Sequence, residues 1–543
     1  MPRDLKADVA MLQTIRGLAE GRDFARAAAL ANAALAEGFE HPLLFNVAAV
    51  RLEQQGRLLE AVSLLSRAVA FAPADVGARN ALGLCLSRLE RHTEALGHFA
   101  ALLRLNPALP FAHANHGGAL YALGALPAAE ASYRRALELD PTQIVAMAGL
   151  ASIASRRGLH REARAWSEKV LAVVPNYPDA ALSLATAELA EGAAGDAEAR
   201  VRSLLADPEL APLDRAYAHG VLGDVLDAQG QPADAFAAYS ACNDGLKRLY
   251  AGHYSEGPSA LEYARSITAY FGSARPEHWS PRPVGGADPS GVQGHVFLLG
   301  FPRSGTTLLE VILEGHPGVA SLEENESLID GVRAFMRSPA DLERLSRATS
   351  AELQPLRAAY WKRVAGTGIE VSGKTFVDKY PLNTLKLPLI ARLFPDARIL
   401  VARRDPRDVV LSCFRRRFRM SAPMYELLSL EGAARYYDAV MGLAERLETI
   451  LVLNTRIVRH ETLVTDFENE IKSICAFLGL EWTATMGNFA VRTENRGSVT
   501  PSTAQLARGL ETTGLGQWQR YRAQLAPVLP LLDTWVRRFG YEP

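Results

Sequence analysis

Four prolines set the strongest constraint on what this chain can fold into. Pro73, Pro107, Pro141 and Pro175 stand 34 residues apart in each case. A fixed period of that length marks a stack of like units, each of which buries its apolar face only against its neighbours. Aligned on the prolines, one column reads Ala61, Ala95, Ala129 and Ala163; four residues on, Leu65, Phe99 and Tyr133 fill a bulky position. Gly83 and Gly117 occupy a small site in the preceding segment of their units. Small residues let the two helices of a unit approach, bulky ones fill the gap, and proline ends the second helix because it has no N–H to donate. A further unit with the same logic follows at Gly223, Ala235 and Tyr239, after a stretch around 190–212 that reads as irregular. "FARAAALANAALAEG" reads as a helix of an earlier, degenerate unit. Equal spacings together with the alanine column argue against an unrepeated alanine-rich bundle.

The pattern resembles the tetratricopeptide repeat (TPR) family over about residues 5–245, and the resemblance implies an all-α TPR superhelix for residues 1–245. Concave faces of such arrays commonly bind peptides, so an acceptor or partner polypeptide is one expectation. Self-association is another, and the oligomeric state stays open.

Residues 246–290 read as a linker, with one helix, "ALEYARSITAYFG", before the Pro/Gly-rich "ARPEHWSPRPVGGADPSG". From 291 to 543 the period changes. "HVFLLG" (295–300), "RILVA" (398–402) and "TRIVRH" (455–460) are short aliphatic runs separated by helical stretches, the pattern of an α/β domain with a central parallel sheet covered on both faces. At 543 residues the chain exceeds one ordinary core, and 48% hydrophobic with 22% charged residues is a globular rather than a disordered composition. The net charge of −1 gives no general attraction to nucleic acid or anionic membrane, so no nucleic-acid partner is expected and any basic site is local. Cys85, Cys242, Cys413 and Cys475 lack metal-ligand spacing and read as isolated buried thiols. The start has no apolar secretory region and no long apolar run follows, so no membrane span and a cytoplasmic location are expected.

Two stretches compete as a phosphate loop. "GIEVSGKT" (368–375) matches the nucleotide-binding P-loop pattern in full, whereas "GFPRSGTT" (300–307) has Thr306 where the lysine would stand. Such a loop works because a strand delivers glycines into a tight turn whose N–H groups, with the following helix N-terminus, face an anion. "HVFLLG–FPRSGTT–LLEVILEGHP" supplies strand, loop and helix, the last ended by Gly315 and Pro317 with His316 in the turn. "GIEVSGKT" instead follows an amphipathic helix and leads into "TFVDKYP", a strand halted by Pro381. The imperfect loop is the expected phosphate site, with Arg303 supplying a planar cationic fork and Thr306 and Thr307 hydroxyls that also cap the helix.

"FPRSGTT" and "RILVARRDPRDVVLSCFRRR" resemble, in that order, the two nucleotide motifs of sulfotransferases that use 3′-phosphoadenosine 5′-phosphosulfate (PAPS). The resemblance covers about residues 293–540 and is strongest to the tyrosylprotein-sulfotransferase-like branch and to TPR-containing bacterial relatives. It implies that Pro302, Arg303, Ser304, Gly305, Thr306 and Thr307 hold the 5′-phosphosulfate and that Arg404 and Ser412 hold the 3′-phosphate. "HPGVASLEENESL" resembles the stretch carrying the family's base, here Glu324, and "VDKYPLNTLKLPLI" the stretch carrying its catalytic lysine, here Lys379. "SVTPSTAQLARGLETTGLGQWQRY" resembles the loop over the nucleotide, implying Ser502 and Arg508 as contacts. The chain departs from the family at Leu322, His460 and Gln517.

The resemblance implies PAPS as co-substrate, its bisphosphate PAP as product, no metal, and catalysis by Glu324, Lys379 and Arg303. A protein tyrosine is the foremost acceptor, recruited by the array; a carbohydrate or small-molecule hydroxyl is the alternative, ahead of a P-loop kinase or NTPase and a non-catalytic TPR scaffold. Residues read from charge alone are Glu323, Glu324 and Glu326 as an acidic run, and Arg415, Arg416, Arg417 and Arg419 as a solvated helix face more readily than a substrate clamp.

Overall fold

The computed structural model describes residues 5–254, 256–282, 284, 291–489, 492 and 512–542. It divides into two compact units, Met1–Ser155 with Arg161–Leu184, and Arg156–His160 with Ala185–Pro543.

In the first unit short turns separate paired helices, among them Leu58–Phe71, Val76–Arg88, His92–Leu105, Pro110–Ala122 and Leu126–Leu139. The 34-residue period is a packing period. Ala61, Ala95, Ala129 and Ala163 are all 0% exposed. A Cβ added to Gly83 would come 2.5 Å from the Phe99 ring, and one added to Gly117 would come 2.8 Å from the Tyr133 ring. Each glycine therefore leaves room for the aromatic residue of the second helix in its unit. Pro73, Pro107 and Pro141 stand just past the helix ends Phe71, Leu105 and Leu139, where the missing N–H stops the helix.

The second unit carries helices Ala194–Leu205, Pro212–Ala228, Pro232–Tyr254 and Ala260–Ser273. The stretch around 190–212 is thus not irregular throughout: it contains a helix of 12 residues, Ala194–Leu205. Its Gly195 and Asp196 obscure the repeat pattern, but the alanine, arginine and leucine content keeps helix propensity high. The packing seen in the first unit recurs, with a Cβ on Gly223 2.5 Å from the Tyr239 ring.

A sheet follows, made of five parallel strands: β1 (Gly294–Gly300), β2 (Val319–Glu323), β3 (Thr375–Lys379), β4 (Arg398–Arg403) and β5 (Asn454–Arg459). Their order is β2-β3-β1-β4-β5, which puts β1 in the centre. Alternation along β1 supplies both layers. Val296 and Leu298 pack with Leu309 and Ile312 of helix Thr306–Leu313 and Ile474 of helix Phe467–Leu478. His295 and Phe297 face Tyr360 of helix Ser350–Gly366, together with Phe394. "GIEVSGKT" lies between helix Ser350–Gly366 and β3, so a helix precedes it and a strand follows. It has the wrong polarity for an anion cradle and sits where β3 begins, at the opposite end of the sheet from residues 301–305.

On the aromatic face, a buried chain of hydrogen bonds crosses β1 and β3. Tyr360 donates to Asp378 Oδ2 at 2.8 Å, and its oxygen lies 2.8 Å from Nε2 of His295. Burial pushes Asp378 up to about 7, against the opposing pull of the Tyr360 hydrogen bond and of Lys386. Because this value lies above that of the unfolded chain, near ~4, the native protein holds a proton there that the unfolded chain has lost. Asp378 therefore costs stability increasingly as pH rises from ~4 through about 7. Asp378→Asn keeps an acceptor for Tyr360 and should stabilise the chain in urea at pH 8 while changing little at pH 4. Equal effects at both pH values would contradict this account.

Candidate active site

The loop at the C-terminal end of β1 owes its shape to two glycines. Gly300 runs so close to β4 that a Cβ would lie 2.6 Å from the carbonyl oxygen of Ala402. Gly305 has φ of 100°, and a Cβ there would lie 2.7 Å from Nδ1 of His460. Ser304 is buried and donates its N–H to the Phe301 carbonyl at 3.1 Å, closing the turn; Cys413 Sγ donates to the Pro302 carbonyl at 3.4 Å. Helix Thr306–Leu313 then begins, with Gly305 in the cap position and no side-chain cap bond. Thr306 and Thr307 therefore do not cap it as the sequence suggests. They are its first two residues, both buried, and the residue that precedes them has no side chain. Their N–H groups have no acceptor within the helix and point the way an anion-binding turn requires.

Positive charge gathers around this loop. Arg303 Nε donates to Ser412 Oγ at 2.9 Å, joining the loop to helix Pro406–Arg415. Arg404 Nη1 donates to the Arg303 carbonyl at 3.4 Å, and its other nitrogen donates to the Gly514 carbonyl. Asp408, 3.8 Å from Arg404, accepts from the N–H groups of Gly516 (2.7 Å) and Trp518 (2.9 Å), so the C-terminal segment is fastened beside Arg404. Burial and the like charges of Arg416 and Arg404 push Arg303 down from its ordinary value. Burial, with Arg404 and Arg303, likewise pushes His460 down to about 3, so its ring is neutral against Gly305. Arg303, Arg404 and Arg416 thus gather positive charge at one turn.

Beside it lies a lysine with three carboxylates. Lys379, the last residue of β3, is fully buried and is not a surface residue. Its Nζ donates to Glu324 Oε1 at 2.8 Å and Glu323 Oε1 at 3.1 Å, and lies 3.4 Å from Glu310 Oε2. Register explains the meeting: Glu323 ends β2 directly opposite Lys379, and the Glu324 N–H donates to the Lys379 carbonyl at 2.7 Å. Burial pulls Lys379 down, but Glu310, Glu324 and Glu323 together outweigh it and hold the ammonium above its usual value. Glu323 and Glu324 are thus not a freely solvated run, whereas the exposed Glu326 accepts from Lys386 at 2.7 Å. Arg303 (φ 70°) and Glu324 (φ 44°) also take left-handed backbone conformations; the other such non-glycine residues described, Arg22 and Glu90, sit in interhelical turns. Strain of this kind costs about 1–3 kcal/mol per residue and gathers at functional sites.

The structure therefore brings Glu324 and Lys379 into direct contact, and Arg303, Arg404 and Ser412 into a second cluster along the same edge of the sheet. Ser502 and Arg508 lie outside the described residues. The arginines after Ser412 do not form a solvated face: Arg415 pairs with Asp227, and Arg417 with Asp224 at 2.6 Å, both aspartates on helix Pro212–Ala228. Two site residues escaped the sequence reading. Glu310 had one signal, a single carboxylate in the apolar run "TTLLEVIL". Arg416 was hidden among its neighbours and is the largest charge influence on Arg303.

Lys379 and Glu310 are each 0% exposed and stabilise each other's charge. Removing only the lysine leaves an uncompensated buried carboxylate, a change that costs about 3–5 kcal/mol in comparable pairs. Lys379→Met should lower stability by that order in urea unfolding, and adding Glu310→Met should recover part of the loss. A double variant as unstable as the sum of the two singles would contradict the pairing.

Residues 295–484 match the family model described as the sulfotransferase family, and residues 46–110 and 80–144 match the tetratricopeptide repeat. The chain is 24% identical over 415 residues to an uncharacterized protein of Aquifex aeolicus (strain VF5), covering 75% of this chain and 52% of that one; it thus spans about half of that relative's length. It is 25% identical over 272 residues to protein-tyrosine sulfotransferase 1 of Danio rerio, covering 46% of this chain and 72% of the relative. Among solved structures, the sulfotransferase domain of the Synechococcus PCC 7002 olefin synthase matches at 21% identity with a TM-score of 0.34, over 48% of this chain and 100% of that one. The chain thus joins a stretch that matches the tetratricopeptide repeat to one that matches the sulfotransferase family.

Proposed function

We propose that this chain transfers a sulfuryl group from PAPS to an acceptor hydroxyl, and that the acceptor is a tyrosine of a polypeptide. The observation that carries the reading is the contact of Glu324 with Lys379, beside a turn where Arg303, Arg404 and Arg416 crowd together. The residues present fit the nucleotide. The turn at Gly305 has no room for a side chain, and the N–H groups of Thr306 and Thr307 with the Arg303 guanidinium suit the 5′-phosphosulfate. Arg404 and Ser412 suit the 3′-phosphate, with Arg416 adding positive charge near Arg303. Ser502 and Arg508 remain proposed contacts from the sequence resemblance.

In the reaction Glu324 takes the proton of the acceptor hydroxyl as the acceptor oxygen bonds to sulfur. The bond from sulfur to the 5′-phosphate oxygen breaks, and Lys379 and Arg303 offset the charge that gathers on that oxygen. Lys379 suits this role because its three carboxylate neighbours keep it cationic. Only one Glu324 oxygen is bonded to Lys379, and the residue is 46% exposed, so an acceptor can reach it. The choice of tyrosine rests on relatives bearing the name protein-tyrosine sulfotransferase, such as those of Danio rerio and Gallus gallus. Residues 1–245 serve in this reading to recruit the acceptor polypeptide or a partner, with 246–290 as linker and 291–543 as the transferase.

The test is transfer of labelled sulfate from PAPS to tyrosine peptides, glycans and small phenols. Peptide labelling is expected, with Glu324→Gln lowering kcat by about 10²–10⁴ and leaving PAP affinity within a few-fold. Labelling of glycans alone would remove the tyrosine assignment. No labelling of any acceptor, or full activity in Glu324→Gln, would remove the reaction or the base respectively.

A further inference from the structure

The helix pair Pro212–Ala228 and Pro232–Tyr254 belongs by its packing to the repeat array, yet it lies in one compact unit with the sheet. Its side chains grip three of the five residues that follow Ser412. Asn243 Nδ2 donates to the Phe414 carbonyl at 2.8 Å, and Phe236 stacks on the Phe414 ring at 4.9 Å. Asp227 pairs with Arg415, and Asp224 pairs with Arg417 at 2.6 Å. Asp227 also accepts from Tyr521 at 2.6 Å and lies 3.1 Å from Arg520, so it ties the C-terminal segment to the same point. Arg417 fits because Gly220 has no side chain: a Cβ there would lie 2.6 Å from Arg417 Cδ.

Between these anchored residues stands Arg416, which caps helix Pro406–Arg415 one turn after Ser412; its backbone N–H donates to the Cys413 carbonyl at 3.3 Å, whereas its guanidinium has no hydrogen bond or ion pair to a described residue. The alternation has a physical consequence. Pairing the flanking arginines with aspartates from one helix fixes the chain at 415 and 417, and it leaves the Arg416 guanidinium without a direct ion pair to a described residue, close enough to Arg303 to be the largest charge acting on it.

We propose that Asp224 and Asp227 are positioning residues for the nucleotide site: through Arg415 and Arg417 they hold Arg416 toward the phosphate loop, so the last helix pair of the array sets nucleotide affinity. The inference rests on the nucleotide reading above. It makes this helix pair a working part of the transferase rather than a tether, and it gives the array a route by which its last unit bears on the site. Arg416 is depressed chiefly by burial, with Asp224 opposing and Arg415 and Arg417 adding to the effect, as expected for a cation held among cations.

The test is calorimetric titration of the full chain with PAP, combined with a double-mutant cycle. The wild type is expected to bind. Asp224→Asn is expected to weaken binding roughly ten-fold, as loss of an orienting partner does at other charged sites. Arg416→Ala should weaken binding at least as much, and adding Asp224→Asn to it should cause no further loss. Gly220→Ala, which displaces Arg417 without removing a charge, should reproduce the effect and carries the same cycle if Asp224→Asn does not fold. A wild type that fails to bind PAP would overturn the nucleotide reading itself. Binding by the wild type with unchanged affinity in Asp224→Asn and Gly220→Ala would overturn the positioning alone. So would a loss that persists undiminished in the Arg416→Ala background, because it would then not pass through Arg416.

Discussion

The buried ammonium of Lys379 is the interaction on which the site depends. It joins β3, which carries it, to the end of β2 through Glu323, to the strained Glu324 beyond, and to the helix after the phosphate loop through Glu310. A cation taken out of water is tolerated only where carboxylates replace its hydration, and here three do so. In the proposed reaction the same arrangement would supply chemistry, because a lysine held cationic at the sheet edge is a fixed positive charge that needs no reorganisation. Structure and proposed catalysis thus draw on one cluster.

The second cluster follows a different rule. Around Arg303 several arginines crowd together, and Asp408, Asp224 and Asp227 hold Arg404, Arg417 and Arg415. The result is a concentration of positive potential at a turn too tight for any residue but glycine at 305. A bisphosphorylated nucleotide would satisfy such a site without help from a lysine in the loop, so Thr306 at that position is no defect.

How much of this was legible in the sequence follows from the range of each interaction. The repeat array could be read because Gly83, Phe99 and Pro107 recur at a fixed spacing, and the loop could be read because strand, glycines and helix are contiguous. Glu324 and Lys379 were found through resemblance, and the structure adds that they touch. The misread features are those set by backbone angle or by distant partners. Thr306 looks like a cap until Gly305 is seen to occupy that position. Arg415 and Arg417 look solvated until aspartates 188 and 193 residues away are seen to pair with them. Strand β2 is five residues long and includes a serine, too short for alternation to declare it.

The claim at the centre is that residues 300–307, with Arg404 and Ser412, recognise a nucleotide by phosphates at both its 3′ and 5′ positions. Parallel titrations with PAP, 5′-AMP and Mg·ATP test it most directly. The account predicts that PAP binds at least about ten-fold more tightly than 5′-AMP, the scale of one charge-assisted contact, and that Arg404→Ala abolishes the difference. Equal binding of PAP and 5′-AMP, or preferential binding of Mg·ATP, would contradict it.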